Sequence, residues 1–232
     1  MICAIMQPTY LPWLGYFQLM ANSDLFIFFD DVQFMKRSWH YRNRIRSHQG
    51  ELMLSVPVLS KGKSGQKINE VLINNDGNWR KKHIQSIILN YGKTKYFRDY
   101  IEELNGIYSN NYSHLLDLNV TLIKFLMDKF GIKTQTMMSS QLQVVGERNV
   151  KIVDICKKVN ADVLYDAEGA KEILDLAYFE QNNIKLAFQK YQHPVYRQQG
   201  KFIPYLSALD LLFNEGSGSL DIINCCESLS KD

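Results

Sequence analysis

The sequence predicts an α/β fold, a mostly parallel sheet flanked by helices, in a single domain spanning residues 1–232 with a helical insertion at about 79–130. Two apolar runs near the start, ICAIM at 2–6 and LFIFF at 25–29, have the length and the β-branched or aromatic content of buried strands. Eighteen residues separate them. That is room for one crossover helix, so the pair reads as strand, helix, parallel strand. Strand and helix patterns alternate again from residue 134 onward, as a parallel sheet requires.

Within the first unit, the helix at 12–21 offers Leu14, Phe17, Leu19 and Met20 to the sheet, with Pro12 near its first position, where a fixed φ suits a helix. If the two strands are parallel, residues 7–10 and 30–33 share the carboxyl rim, where open α/β sheets bind ligands. The stretch LMLSVPVL at 52–59 is a further strand, placed at an edge or strand end by Pro57. KGKSGQ at 61–66 is a flexible loop whose glycines are not spaced as in a P-loop. Apolar residues recur at helical spacing over 79–89, 97–108 and 112–130, and Gly131 ends the third helix as a C-terminal cap. A strand at 134–138, a helix at 149–159, a strand at 161–165, a helix at 170–182 and a strand at 184–188 follow. A short apolar helix at 206–213 comes last, and the final dozen residues, polar after Ile223, are expected to fray.

The composition narrows the classes of function. Hydrophobic residues make up 46% of the 232, ordinary for a protein with a sizeable core. No apolar run reaches the roughly eighteen residues of a membrane span, and a strand rather than an export segment follows Met1, so the cytoplasm is the expected location. The four cysteines, Cys3, Cys156, Cys225 and Cys226, fit neither a disulfide framework nor a zinc site and read as free thiols. A net charge of +3 gives no reason to expect a nucleic-acid partner. The basic residues are uneven, however: the run KRSWHYRNRIR at 36–46 holds five of them and no acid.

Candidate site residues fall in four segments. Gln7, Thr9 and Tyr10 offer an amide and hydroxyls on the first rim loop, and Trp13 and Tyr16 follow three apart on one helix face, where they serve either a site or the core. Asp30 and Asp31 end the second strand, one of them a candidate base or metal ligand and both equally suited to a cap or to a salt bridge with Lys36 or Arg37. Adjacent strand residues face opposite ways, so at most one belongs in the site. In the basic run, Arg37, Arg42 and Arg44 with Trp39 and Asn43 suit an anionic ligand carrying rings, since guanidinium forks grip phosphates and aromatic faces stack on bases or sugars; a solvated strand with alternating charges has the same pattern. The fourth segment, YQHPVYRQ at 191–198 with FIPYLSALD at 202–210, holds His193, extended before a proline and a candidate general base. No nucleophile elbow and no histidine pair at zinc spacing is present.

The motifs QPTYLPWLGYF, SDLFIFFDDVQF, KRSWHYRNRI, SVPV, HPVY and FIPYLSALDLLFNEG, in this order, resemble the WbqC-like family, whose genes typically lie in clusters for bacterial O-antigen and other surface polysaccharides. The resemblance covers nearly the whole chain. Members are described as glycyl or other acyl transferases acting on amino sugars, so it implies an acyl or aminoacyl transfer to a nucleotide-linked amino sugar. It places Gln7, Tyr10, Trp13, Tyr16, Asp30, Asp31, Arg37, Trp39, Arg42, Asn43, Arg44, His193, Tyr196, Gln198, Ser207 and Asp210 at motif positions. GERNVKI at 146–152 departs from a basic Thr-x-Arg-Leu type stretch of the family, so no phosphate-binding role passes to Arg148. The opening strand, QPT loop, helix and aspartate-ended strand also resemble, more distantly, the Rossmann-like fold of nucleotidylyl transferases and class I aminoacyl-tRNA synthetases, without their paired histidines. The expectations are a small-molecule partner, a nucleotide sugar or nucleotide, with His193 or Asp30 as base and no metal or other cofactor assigned. A non-catalytic nucleotide- or sugar-binding protein, and an ATP-dependent nucleotidylyl transferase with an altered signature, are the alternatives.

Overall fold

The computed structural model describes residues 1–225. Five strands, β1 (Ile2–Met6), β2 (Leu25–Phe28), β5 (Gln135–Met138), β6 (Val163–Ala167) and β7 (Lys185–Gln189), form one sheet in the order β5-β2-β1-β6-β7, and every pairing is parallel. A separate antiparallel hairpin joins β3 (Arg42–Ser47) to β4 (Gly50–Ser55). Helix α1 (Leu14–Ala21) is the expected crossover, and Cys3 to Met6 pair in register with Leu25 to Phe28. The chain lays β1 centrally, builds outward through β2 to β5, then returns to the other side of β1 for β6 and β7. The strand order therefore reverses between β1 and β6, which opens a crevice at their carboxyl ends.

Strand alternation sorts the core into two layers. Ala4, Phe26 and Phe28 face a cluster filled by Leu14 and Phe17 of α1, by Leu118, Leu122, Phe125 and Leu126 of α4 (Leu115–Phe130), and by Leu209, Leu212 and Phe213 of α7 (Leu209–Glu215). Cys3, Ile5, Ile27 and Phe29 face the other, filled by Ile152, Val153 and Cys156 of α5 (Arg148–Lys158) and Phe179 of α6 (Leu176–Gln181). Both faces are covered, so β1 and β2 read as continuous apolar runs. The helical insertion forms α2 (Trp79–Tyr91), α3 (Phe97–Ser109) and α4, and Ile87, Leu104 and Leu122 join the first cluster. Gly131 caps α4 at φ 75°, a left-handed conformation that glycine adopts without strain.

Several boundaries move for local reasons. Helix α1 begins at Leu14 rather than 12, because Leu11 turns at φ 45° and Trp13 is the extended N-cap. The strand expected at 52–59 stops at Ser55, before Pro57. The helix expected at 170–182 breaks: a 3-10 turn covers Glu168–Glu172, and α6 starts only after Asp175, whose side chain accepts from the Tyr178 N–H at 3.1 Å. At the carboxyl end, α8 (Ser219–Asn224) buries Ile223, so fraying does not begin at 221. Residues 226–232, with Cys226 and the rest of the tail expected to fray, lie outside the described residues. Cys3, Cys156 and Cys225 are free thiols. No helix among the described residues is long and apolar enough to cross a membrane.

Candidate functional site

A cavity of about 620 Å³, within the range of small-molecule sites, opens at the β1/β6 crevice. One wall comes from the first layer and the hairpin: Gln7, Thr9, Trp13 and Tyr16 after β1, with Trp39, Asn43, Arg44 and Tyr205. The other comes from the second layer: Ile5, Phe29 and Ile152 with Ala170, Ile173 and Leu174 of the segment after β6. Met6, Arg148, Asp166, Ala167 and Gly169 complete the lining.

The first rim loop is held from several sides. Asn43 donates through Nδ2 to the carbonyls of Tyr10 and Leu11, at 3.2 and 2.7 Å, and Asn119 does the same for Pro8 and His40, at 3.2 and 2.7 Å. His40 is buried, which lowers its pKa to about 4 and keeps it neutral. Its Nδ1 accepts from the Met35 N–H, so Nε2 carries the hydrogen and donates to Gln7 Oε1 at 2.9 Å. With its oxygen so engaged, Gln7 keeps its amide N–H groups for the cavity it lines.

Trp13 sets the shape of this wall. Its indole lies edge-on to Tyr191 with centroids 4.7 Å apart, packs on Tyr205 at 5.7 Å, and folds over Gly15, where a Cβ would collide with the ring. Gly15→Ala is expected to swing the indole out. Because alanine favours a helix over glycine by about 1 kcal/mol, stability should hold while ligand affinity falls severalfold. Melting temperature and tryptophan emission measured together check this, and an unmoved indole signal would refute it.

The charged groups are few and specifically placed. Arg44 donates from Nη1 to both Glu51 carboxylate oxygens at 3.0 Å and from Nη2 to the Tyr205 carbonyl at 3.3 Å, with its guanidinium 5.3 Å from the Trp39 ring centre. Its charge is thus partly neutralised. Arg148, the first residue of α5, is exposed and makes no hydrogen bond or ion pair among the described residues, so it is the free cation of the cavity. Asp166 is the penultimate residue of β6 and also lines the cavity. Burial raises its pKa to about 6, against the pull of the Ala167 N–H, which donates to Oδ1 at 2.7 Å. It is a carboxylate poised to take a proton near neutral pH.

Other residues expected in the site lie elsewhere. Tyr10 is fully buried, its hydroxyl bonded to His83 Nδ1 at 2.8 Å and to the Tyr108 hydroxyl, so it joins β1 to the helical insertion. Asp30 is also buried: its N–H donates to the Ser139 hydroxyl oxygen, and its carboxylate accepts from the Ser140 N–H and hydroxyl and Asn69 Nδ2, at 2.7 to 3.2 Å. It ties the end of β2 to the end of β5 and does not line the cavity. Asp31 pairs with Lys151 of α5, not with Lys36 or Arg37. Arg37 turns at φ 63° and is exposed; its carbonyl accepts from Arg42, which leans on Tyr41, and neither arginine reaches the cavity.

The carboxyl-terminal candidates form a buried brace. The Tyr196 hydroxyl donates to Asp210 Oδ2 at 2.9 Å and accepts from Gln198 Nε2 at 3.0 Å, and Gln198 Oε1 accepts from Arg46 of β3 at 3.1 Å. Burial raises Asp210 to about 6. Ser207 is buried and its N–H donates to the Arg44 carbonyl at 2.8 Å, which docks this segment on the hairpin. His193 lines a different cavity, with Lys190, Pro194, Val195, Ile222 and Cys225. Its Nε2 accepts from the Tyr205 N–H at 3.3 Å, and burial lowers its pKa to about 4. The lone pair a base needs is therefore occupied, and the ring holds Tyr205, which is at φ 59° and lines the main cavity.

The residues missed at the sequence level are Asp166, Tyr205 and the segment 169–174, and Arg148, given no role there, also lines the cavity. Asp166 carried a readable signal: VLYDA repeats the pattern of FIFFDD, an apolar run ending in aspartate at a rim.

Comparison with known proteins identifies one family. The model of the WbqC-like protein family matches residues 7–222. Rv1507c of Mycobacterium tuberculosis (strain ATCC 25618 / H37Rv), described as an uncharacterized protein, is 34% identical over 227 residues, covering 96% of this chain and 97% of that one. No solved structure matches. The chain belongs to the WbqC-like protein family.

Proposed function

We propose that this protein transfers an acyl or aminoacyl group to the amino nitrogen of a nucleotide-linked sugar, in the cytoplasmic synthesis of a bacterial surface polysaccharide such as O-antigen. The observation that carries this reading is Asp166, a carboxylate titrating near 6 in a cavity that also holds a free cation and aromatic faces. In the reaction the sugar ammonium gives its proton to Asp166, and the freed amine attacks the carbonyl of an activated donor, a thioester or ester. A C–N bond forms, the C–S or C–O bond breaks, and the leaving group takes a proton. Gln7 N–H groups suit the developing oxyanion. Arg148 suits the diphosphate, and Trp39 and Tyr205 suit the rings. The family resemblance supplies the sugar and the pathway class.

The test is the mass of uridine- and thymidine-diphosphate amino sugars after incubation with the pure protein and acyl or glycyl donors. A gain equal to the acyl group supports transfer, whereas tight binding with unchanged mass would make the protein a nucleotide-sugar binder. Arg148→Ala should weaken binding of the nucleotide sugar by roughly 1.5–3 kcal/mol through loss of a charge-assisted contact. Calorimetric titration reads it, and unchanged affinity would remove Arg148 from the phosphate site.

A further inference from the structure

The two walls of the cavity differ in kind. Most rings and polar groups lie on the wall built by the hairpin and α1, whereas the facing wall is mainly aliphatic: Ile5, Ile152, Ala170, Ile173 and Leu174, with Phe29 its one ring and Arg148 and Asp166 its charged groups. Ile5 and Phe29 belong to the second core layer, so this wall is a continuation of the core that stops short of closing. Ile173 is 54% exposed beside it, a branched apolar side chain left facing open space. Branched aliphatic surfaces give no flat face for stacking and no hydrogen bonds for the edge of a base. They suit a flexible hydrocarbon chain. Asp166 of β6 and Arg148, one turn before Ile152 on α5, line the same cavity, so the carbonyl end of a chain lying on this wall would share that cavity with both charged groups.

We infer that the aliphatic wall receives the acyl chain of the donor, so that this protein prefers a donor with a chain of several carbons over a glycyl or acetyl donor. The inference rests on the transferase reading and narrows its substrate. A glycyl group carries no methylene beyond its α-carbon and would leave Ile152, Ile173 and Leu174 uncovered. A chain of four to eight carbons would cover them, each methylene adding contact until the wall is filled.

The experiment is calorimetric titration with acyl thioesters of N-acetylcysteamine, from acetyl through butyryl and hexanoyl to octanoyl, with no sugar present. Affinity should rise about fourfold per added methylene over the first members. Ile173→Ser, at an exposed position that the fold tolerates, should lower hexanoyl affinity at least threefold and leave acetyl affinity unchanged. Ile152→Ala should do the same if its melting transition shows that it folds. A flat series overturns the inference, as does a rising series that both variants leave intact. Displacement of the hexanoyl probe by uridine or adenosine with the same dependence on Ile173 would assign the wall to a nucleobase and also overturn it. Chain-dependent binding without transfer to any amino sugar would sink the transferase reading alone. Transfer from glycyl and acetyl donors with no gain from longer chains would sink this inference alone.

Discussion

Asp166→Asn is expected to lower turnover by about a hundredfold to ten-thousandfold, the usual range for losing a positioned general base, while making the protein more stable at neutral pH. Both effects come from the same burial. A carboxyl whose pKa rises from 3.8 to about 6 on folding favours the folded state fully below pH 4. That contribution is lost as pH rises through 6, so at pH 7 the ionised Asp166 is a net burden on the fold, with an upper bound on the order of 3 kcal/mol. Asparagine keeps an oxygen for the Ala167 N–H and has no charge to bury. The wild-type activity should fall about tenfold per unit as pH drops below 6, and the variant's residual activity should lack that limb. Denaturant titration at pH 7 and a pH profile of kcat/KM test the pair of effects. A variant that loses activity and stability together would mark Asp166 as a structural residue.

Lys151→Met should destabilise the fold by about 3–5 kcal/mol at pH 7, because it leaves the Asp31 charge buried without its partner. The two side chains are only 9% and 11% exposed. Burial by itself pushes the Asp31 carboxyl up, but the Lys151 ammonium and the Ser139 hydroxyl outweigh it, and the net shift is downward. A carboxyl held low contributes stability above its unfolded value near 3.8 and loses it only as pH falls further. In the variant the downward pull is gone, so Asp31 protonates at a higher pH and the deficit should shrink between pH 7 and pH 4. Asp31→Asn added to Lys151→Met should recover much of the loss. An equal deficit at both pH values, or no recovery in the double variant, would show that the pair does not carry this energy. The pair also anchors the first turn of α5 to the end of β2, and so holds Arg148 and Ile152 in place.

What the sequence made legible was local. The runs at 2–6 and 25–29 are read correctly as parallel strands because burial on both faces leaves no polar interruption, and their carboxyl ends do border the cavity. Gln7, Thr9, Trp13 and Tyr16 were singled out from that rim, and Trp39, Asn43 and Arg44 from the basic run at 36–46; all seven line the cavity. Tyr10 and Asp30 sit beside them in the sequence, yet their partners are His83, Tyr108, Ser139 and Ser140, and no local pattern announces a contact over such separations. Arg42 and Arg44 alternate identically along β3; only the docking of Tyr205 and Glu51 on Arg44 separates them. His193 looked accessible because it precedes Pro194, but the chain folds Tyr205 back onto it. Leu11 and Tyr205 are left-handed without being glycine, a conformation that tertiary contacts impose.

The cavity walls are drawn from residues 5–16, Phe29, 39–44, 148–152, 166–174 and Tyr205. No single hairpin or helix pair contains them, so the binding surface exists only after closures spanning up to two hundred residues are complete. A local opening that spares the central strands still dismantles it. Occupancy and global folding are therefore one linked equilibrium, and a ligand at a hundred times its Kd would raise the free energy of unfolding of the whole chain by about 2.7 kcal/mol. A small molecule bound there would act on this protein as a cross-link does, fastening the hairpin, both layers of helices and the carboxyl-terminal segment to one another.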